Sequence, residues 1–142
     1  MKLVIKELIV YQEAKALGFV IEDDSLESRI ESLKSEMPDL YLLCMEQYGS
    51  ETEYKKTLSY TMLYDMVYDY FSVQFINSLD YNIGEIKEEA IEYKYVSEAE
   101  MEADEERIVI SYLCEKYRDE IRNYFEDWNN KEFEKANIVY KK

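Results

Sequence analysis

Residues that interrupt helices are scarce in this sequence: three glycines, Gly18, Gly49 and Gly84, and one proline, Pro38. A chain so poor in turn-formers, with 35% charged residues and abundant Glu, Lys, Leu and Tyr, favours long helices over strands and tight turns. The sequence therefore predicts an all-α fold. Its 142 residues and 47% hydrophobic content suit one domain, 1–142, built on a single core.

The few breakers sit where helical patterns stop. Apolar residues recur at helical spacing from Leu3 to Leu17, with Val4, Leu8 and Tyr11 on one stripe and Ile5, Ile9 and Ala14 near it. Gly18 ends that run. The acidic turn Glu22-Asp23-Asp24-Ser25 then offers caps for a helix striped by Leu26, Ile30, Leu33 and Met37. Pro38 suits the first turn of the next helix, through Leu40, Leu43, Cys44 and Tyr48, which Gly49 closes. Ser50 with Glu53 is a capping box opening a helix from Glu51 to about Ile76.

Apolar and aromatic residues surround much of that last helix, which predicts burial on more than one side. After a break at Asn77–Asn82, the interval from Gly84 to Glu106 carries ten acidic residues against Lys87 and Lys94, and reads as a solvated face or a linker. It holds the only plausible boundary, between about Asn77 and Ser97, joining two parts of one helical body. Ser97 with Glu100 is a second capping box, from which one long helix is expected to run past Ile108, Tyr112, Leu113, Tyr117, Ile121, Phe125 and Trp128. Asn129-Asn130 marks its end or a kink, and Ala136 to Tyr140 has strand character.

A formal charge of −15 repels phosphate backbones and anionic lipid surfaces, so neither nucleic acid nor membrane insertion is expected. No segment approaches the roughly 20 apolar residues of a membrane span. Histidine is absent, which removes Ser-His-Asp and Cys-His catalysis. Three scattered glycines cannot cradle a phosphate, so no nucleotide or other cofactor is expected. Two cysteines 70 residues apart read as free buried thiols on apolar helix faces, not as a zinc site. No metal site is expected; a carboxylate-only site is the remaining metalloprotein reading, and catalytic residues are expected to be none.

What stands out is aromatic chemistry, with 15 Tyr, 5 Phe, 6 Met and 1 Trp. Tyrosine couples an apolar face to a polar tip and methionine adapts its shape, a pairing suited to gripping varied sequences. Tyr60, Tyr64 and Tyr68 repeat every four residues and are read as a ridge beside Met62, Met66 and Tyr70. These six are the candidate peptide-binding residues, although the same ridge also reads as core.

Leu8-Ile9-Val10-Tyr11-Gln12-Glu13-Ala14-Lys15-Ala16-Leu17-Gly18 resembles the "LI…L…QEAKKLG" helix of the SurA/PrsA-type chaperone N-terminal domain, related to the peptide-binding part of trigger factor. Val20-Ile21-Glu22-Asp23-Asp24, Tyr48-Gly49-Ser50-Glu51-Thr52-Glu53-Tyr54-Lys55, and the end region Tyr124-Phe125 with Ala136-Asn137-Ile138-Val139 follow in the family's order. The resemblance covers residues 3–76 and, more weakly, 108–140, with 77–107 as an acidic connector in place of the parvulin isomerase domain. It implies a multi-helix chaperone fold with a long C-terminal helix and a short strand-like tail. It also implies non-catalytic binding of unfolded or extended polypeptides, without isomerase activity.

The family's leading strand and helix have no counterpart ahead of Leu3, which implies a fold either incomplete alone or completed by a partner chain. The alternative is a structural homodimer formed by helix exchange, with no client. The resemblance points to the cell envelope if a signal has been removed, whereas Met1 and two free cysteines point to the cytoplasm.

Overall fold

The computed structural model describes the backbone of residues 2–141 and the side chains of residues 5–136, and among these residues the chain forms eight helices and no strand. Met1 and Lys142 lie outside the described residues, and Val4, expected on the first stripe, lies outside the described side chains. The chain divides into two compact units, Met1–Val67 and Tyr68–Lys142. The division falls inside a helix, not in the acidic interval from Asn77 to Ser97.

The first unit holds α1 (Lys2–Ala16), α2 (Asp23–Glu36), α3 (Pro38–Tyr48) and the leading part of α4 (Glu51–Ser78). Gly18 and Gly49 take the left-handed conformation, φ 78° and 84°, that closes α1 and α3. Pro38 opens α3, and the Glu53 amide donates to Ser50 Oγ at 3.2 Å as the capping box predicts. The unit's buried side chains include Val10 and Ala14 of α1 and Leu26 and Ile30 of α2. The expected stripe on α1 is thus displaced, because Leu8 is half exposed while Val10 and Ala14, one turn apart, face inward.

Glu51 joins α2, α3 and α4. Its carboxylate accepts from Tyr41 Oη at 2.8 Å and pairs with Lys34 Nζ at 3.2 Å. The Tyr41 hydrogen bond first, and then the Lys34 contact, hold the Glu51 carboxyl below its ordinary value. α3 itself buries no residue, leaving Leu40, Leu42 and Leu43 exposed.

The second unit holds the end of α4 with α5 (Ile83–Glu92), α6 (Glu98–Ala103), α7 (Glu105–Lys116) and α8 (Arg118–Lys141). Its core gathers Ile76, Ile86, Ala90, Met101, Ile108, Val109, Tyr112, Leu113 and Ile121. Three of these come from the interval expected as a connector, which instead folds into α5 and α6. Asn82 Oδ1 and Ser97 Oγ cap the two helices, each accepting a backbone amide at 3.2 Å.

The single long helix expected after Ser97 is three helices, broken at Asp104 and Tyr117. Segments of one straight helix cannot fold back on each other, whereas the break at Asp104 lets α6 pack on α7 and puts Met101 in the same core as Val109. In the other direction, α8 runs through Asn129-Asn130 without ending. The residues expected as a strand-like tail are its last turns. Asn costs a helix only about 0.5 kcal/mol, and a strand needs a neighbour to pair with.

Two outcomes follow. Met101→Ala should lower unfolding free energy by about 2–5 kcal/mol in urea titration, whereas a linker residue would change it little. Because the fold depresses the Glu51 pKa, its ionised contacts stabilise the protein at neutral pH and are lost as pH falls below the ordinary carboxylate range. Glu51→Gln should therefore flatten the decline in Tm between about pH 6 and about pH 3.

Candidate functional site

The helix α4 carries all six residues expected to bind peptide, but its geometry does not bring them together. Successive residues turn by about 100°, so positions two apart lie about 200° apart around the helix. Tyr60, Tyr64 and Tyr68 therefore line one side, and Met62, Met66 and Tyr70 lie nearly opposite instead of beside them. Tyr60, Met62, Tyr64 and Met66 belong to the first unit, and Tyr68 and Tyr70 to the second.

Their surroundings differ as well. Tyr60 is 49% exposed and stacks on Tyr11, ring centroids 4.7 Å apart. Burial, with the negative charge of Glu7 next, raises the Tyr11 hydroxyl pKa. Met62, Tyr64 and Met66 are half-buried. Tyr70 is half-buried and edge-on to Phe71 at 5.6 Å. Tyr68 is half-buried, edge-on to Phe125 at 5.2 Å, and burial raises its pKa.

Phe71 organises the aromatic packing of the second unit. It is buried, with ring centroids 4.5 Å from Trp128 and 5.7 Å from Phe125. These contacts fasten the end of α4 to α8 through rings that interlock by edge and tilt, arrangements worth about 0.5–1.5 kcal/mol per pair beyond area.

Two cavities, both lined by Ile110, open in the second unit along the end of α4 and α7 and are together called the groove. One, of about 310 Å³, is lined by Tyr68, Asp69, Ser72, Val73, Ile110, Cys114, Arg118 and Ile121. The other, of about 360 Å³, is bounded by Asn77, Tyr81, Ile83, Glu105, Glu106, Val109 and Ile110. From Asp69 to Asn77 the α4 wall is about 12 Å long. Each cavity lies at the small end of the usual range for binding sites, and an apolar lining with a few polar groups is the usual make-up of one.

The polar groups are unevenly placed. At the first cavity, Arg118 pairs with Glu115 at 2.7 Å, and the Ser72 hydroxyl donates to the Tyr68 carbonyl at 2.8 Å. Burial, and then the Asp69 charge, push the Cys114 thiol pKa up, so it remains protonated and weakly nucleophilic at neutral pH. At the second cavity, Glu105 pairs with Lys87 at 3.1 Å and Glu106 stands beside it. Nothing here assembles a nucleophile with a base, and among the described residues no three acidic or thiol side chains gather closely enough to hold a metal ion. The arrangement suits holding apolar groups.

Of the six expected residues, only Tyr68 lines this groove. The rest of the groove lining was missed because its walls come from helices distant in sequence. One local sign was available: from Ile108 to Leu113, five of six residues are apolar or aromatic, more than one buried face uses. Ile110 is the surplus.

The chain matches no protein-family model, no protein of curated function and no solved structure. What the groove can hold is thus read from its own side chains.

Tyr60 and Phe71 should separate exposed ring from core ring. Phe71→Ala should cost about 3–5 kcal/mol, and Tyr60→Ala about 1 kcal/mol, in parallel urea titrations. Equal large losses would place Tyr60 in the core.

Proposed function

We propose that this chain holds apolar segments of unfolded or extended polypeptide, without catalysis or cofactor, in the manner of the SurA-type chaperone domains it resembles. The observation that carries this reading is the apolar groove along Val73, Ile110 and Cys114 in the second unit, whose walls keep Val73 37% exposed beside a buried core. A chain does not leave such a trough uncovered for stability, since exposed apolar area forgoes about 25 cal/mol per Å². The −15 charge fits the same role by keeping copies apart while a client is held.

A second reading has its own support. α3 buries nothing and exposes Leu40, Leu42 and Leu43, a face on which a second copy would gain burial, giving a structural homodimer with no client.

Cys114 offers the decisive reporter because it lines the groove. In a Cys44→Ser background, a permanently unfolded client should slow alkylation of Cys114 at least severalfold, and the wild-type protein should suppress aggregation of a denatured enzyme without nucleotide. A tight dimer by light scattering, with no effect on either assay, would defeat the client-holding reading in favour of the homodimer.

A further inference from the structure

In the first unit, α3 turns its apolar residues both ways. Tyr41, Cys44, Met45 and Tyr48 are partly buried, whereas Leu40, Leu42 and Leu43 are exposed, the last two by 63% and 61%. At about 100° per residue, Leu42, Glu46, Asp39, Leu43 and Leu40 succeed one another across about 160° of the outward side. Two exposed carboxylates thus stand between leucines, and Pro38–Tyr48 contains no lysine or arginine.

We propose that this face of α3 docks a helix of a partner protein whose leucine-type side chains are interrupted by two lysines or arginines. Charge complementarity selects that occupant. Among the described residues, neither Asp39 nor Glu46 has an ion-pair partner. Lys34 does reach α3, but over the Tyr41 ring at 5.2 Å, where it pairs with Glu51. Around the helix Tyr41 lies about 140–160° from both carboxylates, so Lys34 is engaged on the other side. A second copy fits this face poorly. On a two-fold interface the same patch meets itself, which would set Asp39 and Glu46 against carboxylates of another −15 chain.

A helical partner follows from what α3 presents. Its backbone groups bond within the helix and leave only side chains to offer, and a helix brings its own backbone already satisfied while laying down an apolar face. Asp39 and Glu46 are seven residues apart, about 10 Å along the axis. Cations at positions i and i+7 of the partner helix repeat that spacing on one face. α3 belongs to the first unit and the groove to the second, so this docking face and the client-holding reading stand independently.

The test uses the full chain and two fluorescein-labelled synthetic helical peptides that share a leucine stripe and carry lysine or glutamine at positions i and i+7, followed by anisotropy. The lysine peptide should bind about fivefold more tightly at low salt, the scale of one or two partly exposed ion pairs. That advantage should shrink in about 1 M NaCl and disappear in Asp39→Asn/Glu46→Gln. Leu42→Ser/Leu43→Ser, at exposed positions, should abolish binding of both peptides while leaving the thermal melt in place. Val73→Asp, in the groove, should change neither.

Equal binding of the two peptides, or binding of neither, would overturn the basic partner. Binding lost in Val73→Asp and kept in Leu42→Ser/Leu43→Ser would move the peptides to the groove and remove α3 as the docking face. A dimer in light scattering that Leu42→Ser/Leu43→Ser converts to monomer would put a second copy on this face and defeat the proposal.

Discussion

The second unit depends on the burial of α7. Ile108, Val109, Tyr112 and Leu113 turn inward, and α5, α6 and α8 each pack against this one helix. An apolar side chain fully buried there contributes about 1.5–3 kcal/mol relative to exposure, so α7 both holds its neighbours and fixes their angles. Cys114 packs against the same core and, with the partly buried Ile110, also lines the cavity beside the end of α4.

Charge contributes less to the fold than its abundance suggests. The cross-helix pairs, such as Lys116 with Glu89 at 2.8 Å, join half-exposed partners, and pairs of that kind are worth about 0–1 kcal/mol. The excess of acidic groups instead governs what approaches. A formal charge of −15 repels other anionic groups and attracts cationic ones.

What could be read directly from the sequence is local. The capping residues Ser50 and Ser97, the left-handed glycines at 18 and 49 and the proline at 38 act within a turn or two of themselves, and each stands where its chemistry implied. The failures are tertiary. No breaker residue marks Asp104 or Tyr117; the chain bends there so that Met101 can reach the core. The acidic interval looked solvated because its charges outnumber Ile86, Ala90 and Met101, although these three fill the centre. Periodicity of four aligned Tyr60, Tyr64 and Tyr68 correctly along α4, but the methionines two residues away fall on its far side. The groove needed the pairing of α4 with α7, which a single sequence does not reveal.

The central claim is that the trough between the end of α4 and α7 is where polypeptide sits. Hydrogen–deuterium exchange, with and without a permanently unfolded client, tests it most directly. The account predicts slowed exchange concentrated in residues 68–77 and 105–118, with α1 and α3 unchanged. Protection confined to α3, or none anywhere, would contradict it.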